Sequence, residues 1–403
     1  MIPKSSPALL AFALTLLLVT PLVADPLPWG PECGAVRCPG ATLLIPYFEV
    51  DLDDSGRTTL FSIANADFEP ALVRVVVWTN WGIPALGFNV LLAPDELRSI
   101  HLGKLLATGA LPVSHYDDPF DYPGCPSQLA PATLDAQALA TLKARLTGQP
   151  DPDDGQCYSE AVEDGLATGY VTVDAVRRCS DTARFPGDAG YFAAGNQGVA
   201  SDRNVLWGDV LLLDDARDRA DGFEAVALRA DAERFGTGPG QVPGTFYDCC
   251  TLGEAPSFDD HRTPLSATYR TRVLGAKTLG TQLLVWTQGQ PETRYPDGGP
   301  LECGASPKET YVGMASRDEA GGGGNFIELT TALRTQRLDL EDFAELEGLF
   351  GTLDLCTKHR SAFGFLSPPT RLFQTWVVPL LSLRDRFSVG YHAAPVREPG
   401  VCG

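Results

Sequence analysis

The feature that most constrains this chain is a set of ten cysteines that follows an N-terminal segment typical of a secretory signal peptide. Lys4 gives the segment a positive start, an apolar run extends from Ala8 to Val19, and we predict cleavage after Ala24. An even number of cysteines in an exported chain predicts a disulfide framework. We therefore expect residues 1–24 to be a signal peptide and residues 25–403 to fold outside the cytoplasm, in the periplasm or in the medium.

Cysteine spacing restricts the disulfide pairing but does not determine it. Cys33 and Cys38 would close a tight loop, and Cys125 and Cys157 would clamp a helix predicted between them. Zinc binding is the competing interpretation, but the sequence holds no Cys-x-x-Cys motif and no paired histidines. We expect every cysteine to form a disulfide: Cys33, Cys38, Cys125, Cys157, Cys179, Cys249, Cys250, Cys303, Cys356 and Cys402.

Composition excludes several classes of partner. Hydrophobic residues make up 44% of the chain, which is enough for a well-buried core. A net charge of −20 repels phosphate backbones and anionic headgroups, so we expect neither nucleic acid nor a membrane surface as a partner. The apolar stretch at 372–383 is shorter than the roughly 20 residues that span a bilayer, so we also expect no membrane insertion.

Alternating apolar residues separated by turn chemistry predict an all-β fold, a disulfide-linked β-sandwich with a small helical insertion. Phe61 and Ile63, for example, fall on one face of a predicted strand. The apolar run Val210–Leu213 instead favours a strand covered on both faces. The predicted strands are Ala41–Val50, Thr58–Asn65, Leu72–Trp78, Gly87–Leu92, Leu97–His101, Gly169–Val176, Val205–Leu213, Phe223–Arg229, Gln282–Thr287, Glu309–Met314, Phe326–Thr331 and Phe373–Leu381.

One region of different composition interrupts the strands. Residues 116–160 are rich in Asp, Pro and Gly, and we interpret them as a surface insertion. Apolar residues at helical spacing between Leu134 and Leu146 predict one helix there, and a second helix is predicted at Asp339–Phe350. We favour a single β-rich domain over residues 25–403, because the early strands alone are fewer than the seven or so of a typical sandwich.

Four segments resemble parts of exported bacterial proteins of unknown function. They are Thr42–Asp51 (TLLIPYFEVD), Gly169–Asp174 (GYVTVD), Asn204–Asp209 (NVLWGD) and Asp260–Leu265 (DHRTPL). The resemblance implies a secreted protein and carries no activity, cofactor or catalytic residue.

The sharpest local pattern is an acidic turn that could hold calcium. Oxygen side chains at Asp51, Asp53, Asp54 and Ser55 precede a glycine, as in a calcium loop. A complete EF-hand loop would need an acid where Ser62 stands, and a plain hairpin turn favours the same residue types. Calcium is therefore the one cofactor that the sequence suggests, and a solvated turn is the competing interpretation.

Two sets of titratable residues are candidates for acid and base chemistry. Asp259, Asp260 and His261 form the densest group in the sequence, and Asp174 and Asp209 each stand near a predicted strand. Adjacent residues alternate faces on a strand, however, so a charged loop with an internal ion pair competes with a catalytic site. If the protein is an enzyme, we expect at least two of these side chains to meet in one cleft.

We predict a non-enzymatic exported β-sandwich with a binding or structural role, whose ligand is a glycan or a protein. Trp78 and Trp81 could form an exposed aromatic platform for such a ligand or could belong to the core. The alternative is a secreted hydrolase that uses loop carboxylates, since fold alone does not separate the two functions.

Overall fold

Antiparallel strands dominate the part of the chain that the computed structural model describes, which confirms the all-β prediction. The described residues are 38–53, 56–114, 125, 132–179, 185–186, 188, 190–192, 197–231, 245–247, 260–274, 279–288, 303, 310–318, 326–331, 333–340, 350–359, 374–383 and 387–395. The predicted signal peptide lies outside them.

The strands are β1 (Thr42–Asp51), β2 (Arg57–Asn65), β3 (Ala71–Thr79), β4 (Pro84–Leu92), β5 (Leu97–His101), β6 (Leu166–Val176), β7 (Leu206–Trp207), β8 (Asp209–Asp214), β9 (Arg219–Glu224), β10 (Val226–Leu228), β11 (Thr268–Leu274), β12 (Leu279–Thr287), β13 (Thr310–Asp318), β14 (Phe326–Thr331), β15 (Thr335–Asp339), β16 (Phe350–His359), β17 (Thr375–Leu383), β18 (Phe387–Gly390) and β19 (Ala394–Pro395). Two α-helices, α1 (Leu102–Thr108) and α2 (Ala136–Thr147), and a short 3-10 helix at Asp215–Arg217 complete the described elements. None of the described helices is long and apolar enough to cross a bilayer.

The strands form four sheets. The first has the order β10-β1-β6-β3-β4, and the second, β5-β2-β8-β9 with β7 on β2, is called the outer sheet below. The remaining sheets have the orders β14-β13-β16-β11-β19 and β15-β12-β17-β18. One hydrophobic core runs through all of them and includes Ile45, Phe61, Leu284, Leu355 and Val378. Such a continuous core explains why strands from both ends of the chain are needed to complete the fold.

The first sheet and the outer sheet differ in how much of their surface is exposed to solvent. Strands β3 and β6 are buried along their whole length, so both faces of the first sheet are covered. Strand β8 alternates, with Val210 and Leu212 buried and Leu211 exposed. The prediction that Val210–Leu213 is covered on both faces is therefore wrong, because the outer sheet packs only one face on the core, as antiparallel sheets commonly do.

Most predicted elements occur close to their predicted bounds. The helix predicted from the spacing between Leu134 and Leu146 is α2, which begins after the N-cap Asp135 and ends at Gly148, in left-handed conformation. Residues 341–349 of the second predicted helix lie outside the described residues, and their flanks are strands: Asp339 ends β15 and Phe350 begins β16.

The disulfides join segments that are far apart in sequence. Cys125 pairs with Cys179 and Cys157 with Cys303, with Cα–Cα distances of 5.4 and 5.0 Å. The predicted Cys125–Cys157 pair is therefore wrong, because a disulfide forms where the fold brings two Cα atoms within about 7 Å and not between neighbours in sequence. Cys38 and Cys356 are also disulfide-bonded. Cys33, Cys249, Cys250 and Cys402 lie outside the described residues.

Candidate functional site

Asp174 and Asp260, two of the predicted acids, flank one buried arginine, Arg262. Asp174 lies at the end of β6, and Asp260 and Arg262 lie in the segment that precedes β11. The Arg262 Nε lies 4.0 Å from Asp174 Oδ1 and 3.8 Å from Asp260 Oδ1, and all three side chains are fully buried. Burial disfavours the Arg262 cation, but the two carboxylates more than offset it, so the pKa of Arg262 lies above its usual value.

Three hydroxyl groups donate hydrogen bonds to the carboxylate of Asp174. Tyr191 donates to Oδ2 at 2.6 Å, Tyr247 donates to both carboxylate oxygens at 3.0 Å, and Thr42 donates to Oδ1. Burial, followed by the charge of Asp174, raises the pKa of Tyr191 and Tyr247 well above 10, so both remain hydrogen donors. A carboxylate that is fully buried and holds three hydroxyl donors has no lone pair directed at a substrate.

The carboxylate of Asp260 is likewise occupied, in this case by backbone donors. The backbone N–H groups of Tyr247 and Arg262 donate to its carboxylate at 3.0 and 3.1 Å. Burial raises the pKa of Asp260, although the cation of Arg262 acts in the opposite direction. Asp260 therefore holds the backbone segment that carries Arg262. The Asp260 side chain is not exposed to solvent.

His261 faces away from its two buried neighbours. Its Nδ1 lies 2.7 Å from Asp202 Oδ2, and both side chains are partly exposed. The other Asp202 oxygen accepts from Arg262 Nη1 at 3.4 Å, so the pair lies at the rim of the buried cluster. Asp259 lies outside the described residues.

The cluster thus brings together Asp174, Asp260 and His261, but around a cation and not around a cleft. Sequence reasoning missed Thr42, Tyr191 and Tyr247, and it considered Arg262 only as a member of the ion pair within the charged loop, where the structure has it 3.8 Å from Asp260. One signal was available: three of the four resembling segments contribute Thr42, Asp174 and Arg262 to this contact network.

The predicted aromatic platform is part of the core. Trp78 and Trp81 are 3% and 6% exposed. Trp78 stacks on Tyr170 with ring centroids 5.6 Å apart and donates from Nε1 to Thr172 Oγ1 at 2.8 Å. Neither ring is available to a ligand, and any exposed aromatic platform must lie elsewhere.

The acidic turn holds its first aspartate with protein partners. Asp51 Oδ1 accepts from the backbone N–H of Asp53 at 2.8 Å, and Oδ2 lies 3.3 Å from Arg57. Asp54 and Ser55 lie outside the described residues. Among the residues that are described, no group of three or more histidine, cysteine or acidic side chains is placed to hold a metal ion.

Asp209 lies in a different place, at an open cleft of about 640 Å³ beside strands β8 and β9 of the outer sheet. Residues of β8 and β9 line one part of it, and the segment from Gly390 to His392 lines another, which we call the cleft wall. A side chain at Gly390 would place its Cβ 2.7 Å from the Gly222 carbonyl oxygen, so glycine allows this wall to close against β9. The cleft is lined by Asp209, Val210, Leu211, Gly222, Phe223, Glu224, Gly390, Tyr391 and His392.

Two carboxylates face each other in this cleft. Asp209 on β8 and Glu224 on β9 are directly opposite in the antiparallel register, and both side chains are exposed. Within the described residues, neither carboxylate has a hydrogen-bond or ion-pair partner. Like charges directly opposite each other destabilise a sheet, and no cation of the described segments lies within ion-pair distance of this pair.

His392 forms part of the cleft wall as a neutral imidazole. Burial lowers its pKa to about 4, against a smaller opposite effect of the Glu224 backbone. Trp376 Nε1 donates to His392 Nδ1 at 3.0 Å, so the ring proton of the neutral form is on Nε2. This Nε2 is buried, and no described residue accepts from it in good hydrogen-bond geometry.

The rest of the outer face is unusually apolar for a solvated sheet. Trp207 is 36% and Leu211 37% exposed, and across the strand pair they face Ala64 and Leu60 of β2. The same register continues from β7 into β8, so Trp207, Asp209 and Leu211 share one face. We call these three residues, with Glu224 and the cleft wall, the outer-face site.

Comparison with models of protein families finds no family that matches this chain, and no curated protein matches it either.

Proposed function

We propose that this protein is exported and acts outside the cytoplasm as a non-enzymatic binding module, with the outer-face site as its ligand-binding surface. The disulfides and the signal-peptide pattern support export, since disulfides persist in oxidising compartments. The observation that carries the binding role is the contrast between two groups of acids. Asp174 and Asp260 are buried and hydrogen-bonded. Asp209 and Glu224 are exposed and have no partner in the described part of the chain, and Asp209 stands two residues after the exposed Trp207 on the same face.

Surface chemistry supports the same site. Exposed aromatic and aliphatic side chains beside polar groups are typical of binding surfaces, because the apolar area is released from water on binding while the polar groups fix orientation. The outer-face site combines Trp207 and Leu211 with two carboxylates in an open cleft. The ligand is thus a glycan or a protein segment that can lie along a sheet face.

The alternative function, a secreted hydrolase that uses loop carboxylates, has one contact in its favour. His261 and Asp202 form a partly exposed pair of the kind that orients a catalytic imidazole. Arg262 shares Asp202, however, and the acids beside it are buried. We therefore place the hydrolase second.

The test screens the exported, oxidised protein against immobilised saccharides, unstructured peptides and alkylamines. We expect at least one class to retain the wild type and to release the double variant D209N/E224Q. The control D95N/D164N changes the same charge at exposed positions outside the cleft and should bind like the wild type. Turnover of chromogenic esters, glycosides or peptides that is lost in His261→Ala would instead support the hydrolase and contradict the proposal.

A further inference from the structure

We propose that the outer-face site binds an extended segment of a partner protein in which a lysine or arginine lies between two apolar residues, in the order apolar-x-basic-x-apolar. The inference rests on the proposed binding function, because it names the partner of the same site. Two properties of the site carry it: the order of apolar and acidic side chains along β7 and β8, and the pair of opposed carboxylates.

Apolar and acidic side chains alternate on one face of these strands. Trp207, Asp209 and Leu211 are exposed, and the residues between and beside them are buried. The register with β2 continues from β7 into β8 without a shift, so the face stays the same along the row. The exposed face therefore presents an acid between two large apolar side chains, and consecutive members of the row are about 7 Å apart along the strand.

An extended segment repeats with the same spacing. Every second residue of a strand points to the same side, about 7 Å from the next one. A segment that lies along β8 therefore places a basic residue over Asp209 when apolar residues lie over Trp207 and Leu211. A free amine supplies the cation without the apolar contacts, and a cationic polysaccharide has no apolar side chains, so neither matches the whole row.

The opposed carboxylates select a cationic group. Asp209 and Glu224 are directly opposite in the register of β8 and β9. The Cβ atoms of such a pair are about 4.5–5.5 Å apart, so one cationic group can contact both carboxylates. Ionised carboxylates only accept hydrogen bonds, and ammonium and guanidinium groups only donate them. A basic side chain relieves the repulsion between the two acids when it binds, which favours a basic partner over a neutral one.

Charge also separates the other occupants of the site. The net charge of −20 attracts basic segments and repels anionic ones. A second copy of this chain is a poor partner, because an isologous contact through the site sets its carboxylates against the same carboxylates of the copy. Trp207 supplies the apolar anchor, since tryptophan is among the residues that contribute most to binding at protein interfaces.

An array of immobilised, capped heptapeptides tests the inference on the exported, oxidised protein. Each peptide has Lys or Arg at its centre, Val, Leu, Phe or Tyr two positions to either side, and Ser or Thr elsewhere. Two matched controls accompany each peptide: one has Nε-acetyl-lysine or citrulline at the centre, and the other has Ser in place of both apolar residues. We expect at least one basic peptide to bind the wild type at least tenfold more tightly than either control.

Variants assign the binding to the outer-face site. D209N/E224Q should bind the basic peptide and its uncharged control with equal, weak affinity, and its melting temperature should not fall, because neutral amides remove the repulsion between the acids. Trp207→Ala should weaken binding at least tenfold but retain the preference for the basic peptide. Raising the NaCl concentration from about 50 to about 500 mM should weaken binding by the wild type but not by D209N/E224Q. D95N/D164N, and Phe68→Ala at an exposed aromatic ring elsewhere, should bind like the wild type.

The outcomes separate this inference from the proposed function. Alkylamines or glycol chitosan that bind as tightly as the basic peptides, with binding lost in D209N/E224Q but kept in D95N/D164N, overturn the segment and leave the binding surface in place. Saccharides that are retained without any peptide, and released by D209N/E224Q, do the same. Equal binding of basic peptides and their uncharged controls, lost in Trp207→Ala, overturns the basic partner alone. Peptides that bind Trp207→Ala and D209N/E224Q as tightly as the wild type overturn both, because they bind elsewhere. No binding of any probe also overturns both.

Discussion

The hydroxyl of Tyr191 donates a hydrogen bond of 2.6 Å to the fully buried carboxylate of Asp174. Asp174 also faces the buried guanidinium of Arg262, so one carboxylate is the counter-charge of a cation and the acceptor of several hydroxyl groups. Removing one partner of such a buried pair leaves the other charge uncompensated. This relationship makes the cluster a determinant of stability.

We predict that Asp174→Asn lowers the free energy of unfolding by about 3–5 kcal/mol, because the amide removes the counter-charge of Arg262 and places N–H donors against the tyrosine hydroxyls. Urea unfolding measures the loss. The control Asp202→Asn changes a partly exposed partner of the same arginine and should cost about 1 kcal/mol or less. Equal losses in the two variants would contradict the assignment of Asp174 as the central acceptor.

Peptide mapping of the unreduced protein checks the disulfides. We expect cross-linked peptides that contain Cys125 with Cys179 and Cys157 with Cys303. These bonds span 54 and 146 residues, so loop-closure entropy predicts that each stabilises the protein by up to about 4–5 kcal/mol. A peptide that joins Cys125 to Cys157 would overturn both pairings together.

Calcium should not stabilise the acidic turn through Asp51. Arg57 donates to this carboxylate and to Glu163, and the hydrogen bond with Glu163, followed by other acidic contacts, holds the pKa of Arg57 above its usual value. A metal ion would have to displace this cation. We expect the same melting temperature in millimolar calcium and in chelator, and a lower one in Asp51→Ala under both conditions. A rise of several degrees with calcium that disappears in Asp51→Ala would restore the metal site.

Local sequence patterns predicted the positions of strands and helices, but they did not predict the long-range contacts between these elements. Alternation identified β2, and helical spacing between Leu134 and Leu146 identified α2, because these signals come from residues that are close in sequence. The strands β11 and β16 were not predicted. Their pairing with each other joins residues far apart in sequence, and burial in a large sheet does not need strict alternation.

The candidate site shows the same limit. The acids Asp174, Asp209 and Asp260 could be named from the sequence, but their burial could not. Asp174 has a structural role because Arg262, from a segment that is distant in sequence, contacts its carboxylate. Asp209 is exposed because β8 buries only one of its two faces. The apolar run at Val210–Leu213 indicated a buried strand, and its exposed Leu211 instead became part of the outer-face site.

The low pKa of His392 predicts that the protein loses stability in acid. The folded state holds this imidazole neutral to a pKa of about 4, whereas an unfolded histidine titrates near 6.5. Between these values the unfolded chain binds the extra proton, so stability falls as the pH is lowered through this window. Urea unfolding from pH 7 to 4 should show the wild type losing up to about 3 kcal/mol more than His392→Asn, in which the amide oxygen can still accept from Trp376. His101→Asn removes an exposed histidine and should keep the acid loss of the wild type. If the stability of the wild type and of His392→Asn fell in parallel as the pH is lowered, the assignment of His392 as a neutral imidazole in the folded protein would be wrong.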